Sequence, residues 1–185
     1  MKATHYIAIA TILLGSNQAI AQDIVVNQGI SEPEVLSAQQ GWCKALVDIS
    51  STYEQKGQAA AKALAEQVID SAYGYQMGAV LFKPTLTVNP QTFRTSRDGA
   101  LSYFVGGDPA YPKDTGFALK GWKDCKIDNA AIFITGDSAA TMGKVHFTGK
   151  DGKVTSVDKT WNFVKDDAGK LRIVLHHSSL EYAGN

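Results

Sequence analysis

The sequence predicts an α+β fold, with N-terminal helices packed on one face of a cone-shaped, curved antiparallel sheet. Two observations carry this expectation. Between Ser31 and Tyr73 the apolar residues recur at helical spacing, whereas from Phe117 to Leu180 they fall in strand-like runs. Those runs are separated by Gly136-Asp137, Gly149-Lys150-Asp151-Gly152 and Asp166-Asp167-Ala168-Gly169. Asp- and Gly-rich turns of this kind join sequential strands as hairpins.

The first 21 residues read as a secretory signal, with Lys2 as the basic start, Tyr6 to Leu14 as the apolar stretch and Ala19-Ile20-Ala21 as the cleavage site. The apolar stretch is too short for a stable membrane span. The expectation is export to a bacterial periplasm with cleavage after Ala21 and no membrane attachment afterwards. Residues 22–34 read as an extended leader, and 35–185 as a single α+β cone domain. A domain of that length buries an ordinary core unaided.

Ser31-Glu32-Pro33-Glu34 is a helix start: a capping serine, a proline suited to the first turn, and acids at the positive helix end. The helix continues to about Lys56 on Leu36, Trp42, Leu46, Ile49 and Tyr53, and Gly57 ends it. A second helix is expected over Ala59–Tyr73, with Ala63, Leu64, Val68, Ile69 and Ala72 as its apolar face and Gly74 closing it. Ala79-Val80-Leu81-Phe82 reads as a short buried strand. Pro84 marks an edge or a bend, after which Thr85 to Val88 resumes as strand and Thr85 is re-aimed. Ser96-Arg97-Asp98 starts a short helix running to Val105, ended by Gly106-Gly107. Asp108 to Thr115 is a loop of a length that could cover a pocket mouth. A brief strand over Phe117–Leu119 precedes four long ones: Trp122–Ile134, Ala139–Thr148, Val154–Val164 and Leu171–Leu180.

The last strand starts apolar and ends in His176-His177-Ser178-Ser179. Strict alternation places Arg172, Val174, His176 and Ser178 on one face, and Leu171, Ile173, Leu175, His177 and Ser179 on the other. A pocket on either face therefore receives one histidine and one serine.

Composition narrows the partners. Eighteen basic and eighteen acidic side chains balance, with no basic stripe, which argues against nucleic acid. The two cysteines, Cys43 and Cys125, are either a disulfide, as an exported protein invites, or two buried thiols. Beyond the signal the histidines are His146, His176 and His177. Adjacent strand residues face opposite ways, so His176 and His177 do not share a metal ion easily. His146 with one of them and a cysteine is conceivable for zinc, but no ligand spacing argues for it. No G-x-S-x-G elbow supports a serine hydrolase. Neutral hydroxyls with an imidazole fit better with stabilising a small oxyanion.

Several blocks then carry a resemblance: Tyr73-Gly74-Tyr75, Val80-Leu81-Phe82-Lys83-Pro84-Thr85, Ser102-Tyr103-Phe104-Val105-Gly106-Gly107, Asp108 to Phe117, and His176-His177-Ser178-Ser179. In this order and separation the chain resembles the iota-class carbonic anhydrases, in particular their cyanobacterial and algal branch. The resemblance covers about Ser37 to Tyr182. It implies the calcium/calmodulin-dependent kinase association-domain type of fold, a nuclear-transport-factor-like (cystatin-like) cone. It implies reversible hydration of CO₂ to bicarbonate and a proton, without a metal cofactor, zinc being the alternative. It places Thr85, Tyr103 and Ser178 as catalytic hydroxyls. His176, His177, Ser179, Phe82, Phe104 and Tyr75 are the supporting or substrate-binding set, with His176 favoured because it shares the Ser178 face. Phe82, Phe104 and Trp161 are expected to line an apolar CO₂ pocket, the proton leaving through water or His176. It also implies a homodimer through the outer sheet face. One departure is Glu181, where the family's final motif often has proline. The rivals are a non-catalytic small-molecule-binding or oligomerisation module of the same fold, and a steroid-isomerase-like proton transfer, which would need a buried carboxylate.

Overall fold

The computed structural model describes residues 29–184, so the expected signal and most of the leader lie outside the described residues. Three helices, α1 (Glu32–Lys56), α2 (Gln58–Ala72) and α3 (Arg97–Val105), accompany five strands: β1 (Leu81–Lys83), β2 (Trp122–Thr135), β3 (Ser138–Gly149), β4 (Val154–Lys165) and β5 (Leu171–Leu180). The spatial order is β1-β5-β4-β3-β2. The four long strands form the antiparallel meander that the turn signals call for, and β1 adds to β5 in parallel.

The start of α1 is held by Glu34, whose carboxylate accepts the Ser31 backbone N–H at 2.8 Å and the Ser31 hydroxyl at 2.7 Å. The helix buries Val35, Gln39, Trp42, Cys43, Leu46, Ile49 and Ser50. The stripe thus begins at Val35 rather than Leu36, and Tyr53 is exposed. Gly57, at φ 79°, ends α1 and permits α2 to start at once. On α2 the centre of the buried stripe is Ala61, Ala65 and Ile69, one residue per turn, whereas Ala63 is exposed. Small side chains let α2 lie close to α1.

Three sequence expectations change. Thr85–Val88 is a turn and not strand, because Pro84 stops the β1 ladder. Phe117–Leu119 is a 3₁₀ turn entered through Gly116 at φ 82°. On β5 the alternation slips. Asn162 pairs with Leu175 but Phe163 pairs with Ile173, so Val174 is an extra residue, and Ile173 joins His176 and Ser178 on the buried face. Another irregularity, between Asn129 and Ala131 on β2, bends the outer part of the sheet. Gly143 makes that bend possible: a Cβ there would sit 2.2 Å from the Asp128 carbonyl oxygen.

The cysteines are joined, Cys43 on α1 to Cys125 on β2, with Cα atoms 5.3 Å apart. Closing so long a loop stabilises by roughly 2–4 kcal/mol. Between helices and sheet lies an aromatic core of Trp42, Tyr73, Phe82, Phe104, Phe147 and Trp161, with His176 buried among them.

Candidate active site

The bulge at Val174 decides what β5 delivers inward. His176 and Ser178 are buried, His177 is exposed and Ser179 is half-buried. Across the ladder, His176 lies opposite Trp161, and Ser178 lies opposite Lys159. On the other side, β1 sets Phe82 beside His176, and the rings stack at 4.4 Å.

Pro84 turns the chain out of β1 and back over the end of β5. Thr85 Oγ1 consequently donates to Ser178 Oγ at 2.6 Å, while Lys83 Nζ donates to the Ser178 carbonyl at 3.0 Å. Tyr103 approaches from α3. Its oxygen lies against the Leu86 backbone N–H and the hydroxyl and N–H of Thr85. Burial raises its pKa above the usual phenol range, so Tyr103 remains a neutral donor. Phe117 stacks on the Tyr103 ring at 5.5 Å and 13°, and Phe82 meets it edge-on at 5.7 Å. The three hydroxyls singled out in the sequence therefore converge: Ser178 to Thr85, and Thr85 to Tyr103.

Of the supporting set, Phe82 forms the wall between the hydroxyls and the core, with Phe104 stacked behind it at 5.8 Å. Trp161 adjoins His176 at 5.8 Å. Tyr75 stands one layer back: its ring stacks on Tyr73 at 5.9 Å and its hydroxyl donates to the Arg94 carbonyl at 2.9 Å. His177 points away from the buried face.

His176, considered from the sequence as a route for the proton, is buried at 2% exposure and does not face solvent. Its Nδ1 is 2.8 Å from the Tyr73 hydroxyl and its Nε2 is 2.8 Å from Lys159 Nζ, so both nitrogens are engaged. Burial, then Lys159 and His177, push its pKa well below the ordinary imidazole value. Trp42 Nε1 donates to the Tyr73 oxygen at 2.9 Å and completes a row of four side chains. The sequence places Trp42 in the apolar stripe of the first helix and Tyr73 at the end of the second and in a motif, and does not single out Lys159. The signal for Lys159 was available: it occupies an inward position between Val157 and Trp161 on β4.

A second missed feature is the buried pair Arg94–Asp114. The guanidinium meets the carboxylate at 2.6 and 3.2 Å with both side chains almost fully enclosed, at 2% and 4% exposure. The Arg94 N–H donates to the Phe82 carbonyl at 2.8 Å. Arg94 thus ties the segment after β1, which carries Thr85, to the loop that follows α3, the helix of Tyr103.

The zinc alternative does not assemble. Both cysteines are in the disulfide, and His146 bonds Ser156 at 2.7 Å with Asp128 at 3.3 Å. Among the described residues no group of three or more His, Cys, Asp or Glu side chains is placed to hold a metal ion. Nor is there a free buried carboxylate of the steroid-isomerase kind where Asp114 sits, since Arg94 engages it.

Residues 33–180 match a family described as metal-independent carbonic anhydrase. A protein of Nostoc sp. (strain PCC 7120 / SAG 25.82 / UTEX 2576) described by the same words is 65% identical over 158 residues, covering 85% of this chain and 77% of that protein. The crystal structure of an iota-carbonic anhydrase from a cyanobacterium, complexed with bicarbonate, superposes with a TM-score of 0.87 at 63% identity, covering 88% of this chain and 99% of that one. A putative calcium/calmodulin dependent protein kinase II association domain from Xanthomonas campestris shares the fold, with a TM-score of 0.52 at 23% identity over 88% of this chain and 97% of that one.

Proposed function

The chain belongs to the metal-independent carbonic anhydrases and interconverts CO₂ and bicarbonate, and we propose that Thr85, Tyr103 and Ser178 carry the reaction. The observation that supports this assignment is the convergence of the three hydroxyls, with Thr85 Oγ1 donating to Ser178 Oγ at 2.6 Å.

Carbon dioxide is uncharged and bicarbonate is an anion, so negative charge develops on oxygen as water adds to carbon. Donors already aimed at that charge lower the barrier in a site shielded from bulk water. The backbone N–H groups of Leu86 and Thr85 face the Tyr103 oxygen, the Thr85 hydroxyl lies beside it, and Thr85 donates to Ser178. The hydroxyl hydrogen of Ser178 is then left for the substrate oxygen. Each bond in such a row polarises the next. Phe82 and the rings behind it supply the apolar side suited to CO₂. None of the three hydroxyls is a strong base, so they orient the attacking water, and its proton passes to a second water.

The family is metal-independent, so Lewis-acid activation is not called on. We also propose that the protein is exported. The basic start, apolar stretch and Ala19-Ile20-Ala21 of the sequence support this, as does a disulfide that suits an oxidising compartment. Exposed Phe133 and Met142 on the outer face of the sheet favour pairing of two copies there. Stopped-flow CO₂ hydration by Ser178→Ala tests the site: a rate equal to the parent's would remove Ser178 from the mechanism.

A further inference from the structure

Lys159 is the unexpected side chain beside this site. It stands on the buried face of β4, 4% exposed, and among the described residues it makes no ion pair. Its Nζ lies 2.8 Å from His176 Nε2 and over three aromatic faces, Trp42 at 4.8 Å, Trp161 at 5.3 Å and Phe147 at 5.9 Å. Directly across the ladder stands Ser178. Opposed residues of an antiparallel pair hold their Cβ atoms about 4.5–5.5 Å apart.

The row Trp42–Tyr73–His176–Lys159 has a direction. An indole N–H can only donate, so the Tyr73 oxygen accepts it. That leaves the Tyr73 hydrogen for His176 Nδ1. A neutral imidazole that accepts at Nδ1 carries its hydrogen on Nε2, and the atom facing Nε2 is Lys159 Nζ. An amine accepts a hydrogen bond only when it is uncharged. In this arrangement all four side chains are bonded to one another and no charge is buried. A charged Lys159 would instead donate to Nε2 and move the imidazole hydrogen to Nδ1. The Tyr73 oxygen would then take two donors, and its own hydrogen would have to find another partner inside the aromatic core, which is costly.

We propose that Lys159 is a positioning residue of the reaction: as a neutral amine it fixes His176 in the Nε2–H form and keeps the side of the site behind Ser178 uncharged, and on protonation it reverses the row and traps the anionic product. This rests on the reading that Thr85, Tyr103 and Ser178 form the site. The titratable groups around Lys159 are His176 on β5, with Tyr73 behind it and His177 on the outer face, Tyr103 beyond Phe82, and Lys83 at the Ser178 carbonyl. From α1, β3 and β4 it meets the rings of Trp42, Phe147 and Trp161. Burial without a counter-charge brings the amine down to about 7, so both forms exist near neutral pH. The aromatic faces keep the ammonium form within reach. Neutral Lys159 suits CO₂ hydration and release of bicarbonate. Charged Lys159 suits retention of bicarbonate.

The test is nuclear magnetic resonance of the wild-type protein from about pH 5.5 to 9, following the His176 ring nitrogens and the lysine Cε signals, assigned with Lys159→Met and His176→Gln. The expected result is one step near neutrality in which Lys159 titrates while the His176 hydrogen moves between Nε2 and Nδ1. A single His176 form throughout, or Lys159 titrating in the ordinary lysine range, overturns the proposal. In parallel, hydration rates should fall and bicarbonate inhibition should strengthen by roughly tenfold below the Lys159 midpoint in the wild type. Lys159→Met should lose this dependence whatever its absolute rate, and an unchanged acid limb in Lys159→Met counts against the proposal. If Lys159→Met does not fold, the wild-type titration decides alone. A Ser178→Ala enzyme as active as the parent would defeat the site reading, while the titration would still judge the row.

Discussion

Thr85 Oγ1 and Ser178 Oγ meet at 2.6 Å, a contact between residues 93 positions apart that brings the turn after β1 onto the end of β5. Each hydroxyl of the row transmits polarisation to the next, so Thr85→Ala, Tyr103→Phe and Ser178→Ala should each reduce CO₂ hydration by roughly 10²–10³-fold. Their losses should not add in a double variant, because the residues act as one row. Stopped-flow rates on variants whose circular dichroism matches the parent's check this, and full additivity would mean three independent donors.

The Arg94–Asp114 pair should behave as a buried ion pair. Arg94→Met leaves the Asp114 carboxylate enclosed without its cation, and the cost should be about 3–5 kcal/mol in urea unfolding. Activity should fall as well, since Arg94 joins the segment that carries Thr85 to the loop that follows the helix of Tyr103. A loss below ~1 kcal/mol would show that solvent reaches the pair.

The Cys43–Cys125 bond ties α1, which carries Trp42, to β2. Native protein should show no titratable thiol among these two. The Cys43→Ala, Cys125→Ala variant should lose roughly 2–4 kcal/mol. Two thiols reacting in the unreduced, denatured protein would contradict the pairing.

Glu34 should contribute to acid sensitivity. The Ser31 hydroxyl, with Lys165 next, lowers its carboxyl from 4.5 to about 2. A depressed carboxylate stabilises fully above its unfolded value, and that share is lost as pH falls from about 4.5 through about 2. Glu34→Gln should therefore flatten the stability curve in this window and leave its shape at neutral pH unchanged. Equal acid slopes for the two proteins would remove Glu34 from the account.

Much of the fold was legible because its signals are local. Gly57 and Gly106, the Ser31 and Ser96 caps and the Asp-Gly turns set most boundaries within a residue or two. What escaped depends on distant neighbours. The extra residue at Val174 arises in pairing with β4, and alternation alone could not reveal that Ile173 would share a face with His176. Phe117–Leu119 is too short for periodicity to separate a strand from a 3₁₀ turn. The hydroxyl residues were legible through the resemblance of their blocks, and Pro84 gave a physical reason for Thr85 to be re-aimed. The alternation of β4 turns Lys159 inward, but a lysine in a strand ordinarily faces water, and its partner His176 comes from another strand, so the row is not legible from β4 alone. Arg94 and Asp114 lie in loops whose sequences carry no pairing signal.

The most direct test of the central claim is CO₂ hydration by stopped-flow on exhaustively chelated protein, run side by side with Ser178→Ala. The parent should keep its full rate without metal, and Ser178→Ala should lose it. Activity that disappears on chelation, returns with zinc and is indifferent to Ser178 would contradict the claim.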